Sequence, residues 1–280
     1  MPHLLSTSSA ACAAIAAACV ALSATATDAL PSVASINLCA DQLVLTLAEP
    51  SQILTVSWLS ADPEESLLAD SAARYPLNYG SAEELLRFDP DIVIAGSYTN
   101  AFTRALLARL RYPVVELEPE ATIAEVEGNL RRVASAIGRV ERGEQLVLAM
   151  RAESRRLEAG RPPRAPTAVV VRPGGFTVGD HSLAQDLMTL AGVRNVAAEQ
   201  GLDRWGSLSM ETLLRATPDL IVLTGYRASQ PSLANAALSH PALRRVRETR
   251  PTVTVRAPYW ACGLPQSLES AAVLQQAAAR

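Results

Sequence analysis

The chain has 280 residues, 49% of them hydrophobic, which suits one large domain or two moderate ones with a sizeable core. A formal net charge of −3 and a pI near 5.7 exclude a surface built for nucleic acid or anionic membranes. All 25 basic residues are Arg, so a single surface Arg carries little information.

Residues 1–26 read as a signal peptide. An uncharged, Ala-rich apolar run from about Ala10 to Ser23 ends at Ala24-Thr25-Ala26, an A-x-A pattern for signal peptidase. Only His3 supplies positive charge before it. The run is short for a membrane span. A lipid anchor on Cys19 is the weaker alternative, because Ala16 stands where a larger aliphatic side chain is preferred. Cleavage after Ala26 predicts a soluble periplasmic protein. It removes Cys12 and Cys19 and leaves Cys39 and Cys262, with no cysteine or histidine spacing for zinc.

The mature chain then alternates strand and helix. Val33–Asn37 and Ile53–Ser57 read as strands, with a short amphipathic helix over Asp41–Ala48 between them. Ser81–Phe88 is a helix opened by a Ser81/Glu84 capping box and ended at Asp89-Pro90. Asp91–Ala95 is a continuous apolar run, as in a parallel strand buried on both faces. A helix over Asn100–Leu110 and a strand over Val114–Leu117 follow. From Thr122 to Ala159 the pattern is helical only, broken near Gly138, with one long helix over Glu141–Leu157. Alternation then resumes: strands at Thr167–Val171, Asp219–Leu223 and Thr252–Arg256, helices at Ser182–Ala191, Ser209–Ala216 and Gln266–Ala279. Ser239-His240-Pro241 begins a further helix, with His240 a cap or packing residue.

The second half repeats part of the first. Ser81-Ala-Glu-Glu-Leu-Leu-Arg-Phe-Asp-Pro-Asp91 and Ser209-Met-Glu-Thr-Leu-Leu-Arg-Ala-Thr-Pro-Asp219 share Ser, Glu, both Leu, Arg, Pro and Asp in register. Tyr98 and Tyr226 follow at the same offset. The expected architecture is therefore α/β. Two Rossmann-like lobes with parallel sheets, 27–120 and 161–280, are joined by a helical connector over 121–160. The natural site is the cleft between the lobes, at the carboxyl ends of the strands. A stiff helical connector permits only a small change of lobe angle.

The sequence resembles the periplasmic binding proteins of ABC importers for iron siderophores, cobalamin and heme, the type with a helical backbone between lobes. The resemblance runs from about Val33 to Leu274. It rests on the two Glu-x-Leu-Leu-x-x-x-Pro-Asp segments, on Gly174-Gly-Phe-Thr-Val-Gly179 with Ala191-Gly-Val-x-Asn-Val196, and on Tyr259-Trp-x-x-Gly-x-Pro265. It implies that Glu83 and Glu211, each seven residues before its Pro, dock on arginines of a permease dimer driven by ATPase subunits. It also implies a monomeric receptor with no catalytic residues, no intrinsic cofactor or metal, and no nucleic-acid partner.

The loops after the strands supply candidate ligand contacts: Cys39, Trp58, Tyr98, Phe176, His181, Trp205, Tyr226, Trp260 and Cys262. All three Trp fall at such loops in a chain only 4% aromatic, and rings give contact area at low entropy cost. Trp205 and Trp260 match aromatic cleft positions of the family. Asn37, Asp41 and Asp180 lie in the same loops, and Arg227 or Arg256 is a possible partner for an anionic ligand. Cys39 and Cys262 leave two outcomes open: a disulfide that locks the lobes, or free thiols touching the ligand or its metal.

The ranking of cargo is ferric siderophore first, cobalamin second, heme third. Two rivals stand beside the importer subunit. One is a sensor or scaffold of the same fold. The other, weaker, is a thiol enzyme using Cys39, His181 and Asp180; against it, Gly-x-Ser-x-Gly and HExxH are both missing from the sequence.

Overall fold

Strands β1 (Val33–Ser35), β2 (Ile53–Ser57), β3 (Leu77–Asn78), β4 (Ile92–Gly96) and β5 (Val114–Leu117) form one sheet in the order β3-β2-β1-β4-β5, every pair parallel. β6 (Thr167–Val171), β8 (Arg194–Asn195), β10 (Leu220–Leu223) and β11 (Thr252–Thr254) form a second parallel sheet, β11-β10-β6-β8. β7 (Phe176–Val178) and β9 (Trp205–Ser207) pair antiparallel as a separate ribbon. The computed structural model describes residues 29–225, 232–233, 238 and 241–279, and the chain from Pro31 on packs as one unit. The expected leader over 1–26, with His3, Cys12 and Cys19, lies outside the described residues, as do Tyr226, Arg227 and His240.

Side-chain alternation explains the layering. Along β4, Ile92 and Ile94 enter the main core while Val93 and Ala95 enter a smaller core on the other face. Along β6, Ala168 and Val170 join the main core, and Val169 and Val171 a third cluster. Both sheets are thus buried on both faces, which is why their strands read as unbroken apolar runs.

The helices are α1 (Leu38–Leu47), α2 (Ala69–Ala72), α3 (Ala82–Leu86), α4 (Ala101–Arg109), α5 (Ile123–Ala136), α6 (Val140–Ala159), α7 (Leu183–Leu190), α8 (Val196–Glu199), α9 (Met210–Ala216), α10 (Pro241–Thr249), α11 (Pro258–Ala261) and α12 (Leu268–Ala278). Each predicted helix is present, with ends moved by a few residues. The connector holds two helices. Gly138, at φ 71°, turns α5 back into α6. A Cβ on Gly143 would stand 2.5 Å from Ala134 Cβ, so the hairpin closes on small residues. Arg151 to Glu127 and Arg131 to Glu144, both 2.6 Å, cross the hairpin, and Glu127 is only 10% exposed. The main core passes through it continuously, from Leu43 in the first lobe through Leu130 and Met150 to Leu187 in the second. The connector is therefore a packed layer shared by both lobes. α6, at 20 residues, spans roughly 30 Å.

The sequence repeat has a structural counterpart. Ser81 caps α3 with its capping box to Glu84, and Ser209 caps α9. The residue before each Pro, Asp89 and Thr217, takes a left-handed φ of 46° and 43°. The next carboxylate then clamps the start of the neighbouring strand. Asp91 accepts from Ser32 N–H and Oγ at 2.7 and 2.6 Å; Asp219 accepts from Thr167 N–H and Oγ1, both at 2.9 Å. These bonds hold both carboxyl groups below their usual range.

Candidate ligand cleft

In a parallel sheet every strand ends on the same edge, so the segments following the strands gather there. After the first sheet come Trp58, Tyr79, Tyr98 and Phe102, all exposed, with Trp58 and Tyr79 stacked at a centroid distance of 6.1 Å. After the second come Arg172 and Thr224, with the β7–β9 ribbon presenting Phe176 and Trp205, 46% and 70% exposed. A pocket of about 180 Å³ joins the second-lobe edge to Pro119 and Glu120, which follow β5 of the first sheet. It therefore lies between the carboxyl ends of the two sheets.

His181, Trp205 and Trp260 line this pocket. Trp58, Tyr98 and Phe176 lie outside its lining, on exposed surface. His181, at φ 47°, has Nδ1 2.8 Å from Asp203 Oδ1, so one ring nitrogen is already engaged. Of the other loop residues, Asn37 is the N-cap of α1, accepting from Cys39 and Ala40 N–H, and its carboxamide packs against Gly96. Asp41 is fully buried and hydrogen-bonded to Ser57 Oγ. Neither is free to meet a ligand. Burial drives the Asp41 carboxyl up to about 7, against the hydrogen bonds that oppose it. Arg256 donates to Pro63 O across the lobes at 2.7 Å.

Cys39 and Cys262 form a disulfide with Cα atoms 5.1 Å apart, one from each lobe. The free-thiol alternative is thereby corrected: no thiolate is available to a metal, and Cys262 is 1% exposed. The same bond takes Cys39 out of any nucleophilic set with His181 and Asp180. Among the described residues no group of three or more His, Cys, Asp or Glu is arranged to hold a metal. Glu83 and Glu211 both lie in the first turn of their helices and are exposed; Glu211 pairs with Arg215 at 2.5 Å.

Sequence reasoning passed over Arg172, Thr224, Glu120 and Tyr79. Arg172 and Thr224 directly follow core strands, and that position was the available signal. Glu120 follows β5 at the last position of the first lobe as read from the sequence, and was not singled out there.

The family model for periplasmic binding proteins matches residues 33–249. The chain belongs to this family. The family partners a small-molecule ligand and an ABC permease. A search of curated protein sequences finds no match. Among solved structures, the fold is similar to the periplasmic heme-binding protein RhuT of Roseiflexus sp. RS-1, with TM-score 0.74, 20% identity, and coverage of 88% of this chain and 98% of that one. A periplasmic heme-binding protein of Pseudomonas aeruginosa gives TM-score 0.72 at 23% identity, covering 89% and 93%. The molybdate periplasmic binding protein MolA of Haemophilus influenzae gives 0.70 at 18%, covering 89% and 86%. The two-lobe α/β fold of the binding proteins is thus established for this chain. No helix among the described residues is long and apolar enough to cross a membrane.

Proposed function

We propose that this binding protein captures a metal chelate in the periplasm and passes it to its permease, doing no chemistry itself. The observation that carries the reading is the concentration of exposed rings at strand ends. Six of the chain's 12 aromatic residues (Trp58, Tyr79, Tyr98, Phe102, Phe176 and Trp205) are exposed there. Exposed rings on both lobes suit a large, flat or caged ligand and serve little purpose in a core. Heme binders among the similar structures support placing a tetrapyrrole beside the ferric siderophore that family breadth favours, with cobalamin as the third cargo.

In this reading residues 1–26 are a cleaved leader. The lobes, 27–120 and 161–280, clasp the ligand about the 121–160 connector, and the receptor acts as a monomer. Glu83 and Glu211, one at the rim of each lobe, meet arginines of the permease dimer, whose ATPase subunits drive release. The test is tryptophan fluorescence of the secreted protein titrated with hemin, cyanocobalamin and ferric siderophores, with inner-filter controls. Saturable quenching by one of them supports chelate capture; a flat response to all contradicts it. Charge reversal at both glutamates should abolish uptake with binding intact. Uptake at the normal rate would favour a sensor of the same fold.

A further inference from the structure

Hydrogen-bond donors with nothing to hold meet on the second-lobe wall of the pocket. Arg172, just after β6, is half-buried, and among the described residues its guanidinium has no ion pair or hydrogen bond; desolvation is what pushes its pKa below the usual range. Thr224, just after β10, is 2% exposed, and its Oγ1 has no partner among the described residues. The indole Nε1 of Trp260 is buried without an acceptor among the described residues. The amino end of α7 opens on the same space, where Leu183 and Ala184 present the first N–H groups of the helix behind the Ser182 cap. The residues that carry these groups all line one pocket. Leaving any of them unmet costs free energy, and a partly buried unpaired cation costs most. A single anionic group relieves all of them together. Arg204 adds an exposed second cation on the rim. Glu120 faces the pocket from the connector side; Asn129 Nδ2 donates to it at 2.6 Å, and burial pushes its pKa up, which favours the neutral form.

We infer that this pocket is an anion-anchoring subsite, taking one carboxylate or inorganic oxyanion group against Arg172, Thr224 and Trp260. At about 180 Å³ it is smaller than the roughly 300–1,000 Å³ that encloses a whole drug-sized ligand, so it anchors one compact group. The inference deepens the receptor reading and rests on it. The ligand class becomes an anionic chelate whose aromatic or caged body lies against the exposed rings.

Isothermal titration of the secreted protein and of Arg172→Gln tests it, with five probes: hemin, hemin dimethyl ester, ferric citrate, ferrioxamine B (which lacks a carboxylate) and molybdate alone. If a carboxylated chelate is the source, hemin or ferric citrate binds and Arg172→Gln weakens it about tenfold or more. Ferrioxamine B is then unaffected by the substitution. For hemin, esterification produces a similar loss. If a free oxyanion is the source, molybdate binds alone and the variant loses it. Carboxylated chelates that bind equally well when esterified, and equally well to Arg172→Gln, overturn the anion subsite while the receptor reading stands. Binding of ferrioxamine B alone does the same, and binding of no probe overturns both. The ligand-free melting temperature separates anchoring from a structural role, because removing an unpaired cation should not lower it. A lowered melting temperature with all binding lost equally overturns the inference. Thr224→Val, nearly the same shape without the hydroxyl, repeats the test if Arg172→Gln does not fold.

Discussion

In the first lobe the carboxyl ends of the strands carry Trp58, Tyr79 and Tyr98, all turned to solvent. In the second they carry Arg172 and Thr224, withdrawn from it. The scaffolds beneath are alike. Each lobe has a Ser-capped helix, a left-handed residue before Pro, and an Asp that clamps a neighbouring strand. Likeness extends to α1 and α7, where Asp41 and Asp186 both stand at the fourth helical position. There the roles part. Asp41 is buried under Ser57, while Asp186 accepts Ile123 N–H at 2.7 Å and so ties the second lobe to the connector. The repeat preserved what the backbone needs and let the cleft walls diverge. The ring-bearing wall offers area. The donor-bearing wall offers direction and charge.

The largest expected effect comes from releasing the bond that joins the two walls. Cys39 and Cys262 are 223 positions apart, so the disulfide removes much unfolded-state entropy. Cys39→Ser with Cys262→Ser should cost about 5 kcal/mol in urea denaturation. A single transition should persist, because the main core runs through both lobes. Two separate transitions would mean that the lobes fold independently.

Next is the paired aspartates at the fourth helical position. Burial raises Asp41 to about 7, whereas an unfolded Asp titrates near 3.9. The folded state therefore holds the proton more tightly between those values, and stability falls as pH rises from about 4 to 7. The fall should be on the order of 4 kcal/mol and should vanish in Asp41→Asn. Asp186→Asn should leave it in place. A wild-type stability flat across this window would contradict the burial argument.

The strand clamps give a smaller effect of opposite sign. Asp219 and Asp91 are held below their usual range, so their contribution is full above about pH 4 and is lost as pH falls through the folded pKa. Asp219→Ala should cost about 1–2 kcal/mol at neutral pH by chemical denaturation. Asp91→Ala, at the more exposed clamp, should cost less. The reverse order would show that the two lobes do not share this device.

Much of the scaffold was legible because its signals are local. Capping boxes, Pro-Asp boundaries and apolar runs placed the core strands of both sheets, and put Glu83 and Glu211 on their helices. The short pieces were not legible. β3 and β8 have two residues each, and the β7–β9 ribbon has three per strand, too few for any periodicity. The long connector helix over Glu141–Leu157 and the break near Gly138 were legible, but not that the two connector helices fold back on each other as a hairpin. For the site, rings at strand ends were visible as unusual residues in a chain poor in aromatics. Arg172 was invisible for the converse reason: in a chain with 25 Arg, only the fold shows that this one is half-buried against the pocket without a partner among the described residues. Whether the two cysteines bond depended on a distance across the lobes that spacing along the chain does not encode.

The most direct test of the unequal walls is equilibrium binding to single-lobe variants. Wild type, Trp58→Ala and Trp205→Ala would be titrated with hemin, ferric citrate, ferrioxamine B and cyanocobalamin. At least one of these should bind, with affinity falling about tenfold or more in Trp205→Ala and about threefold or less in Trp58→Ala. A larger loss in Trp58→Ala, or no binding of any of the four, would contradict a ligand seated at the pocket that Trp205 lines and Trp58 does not.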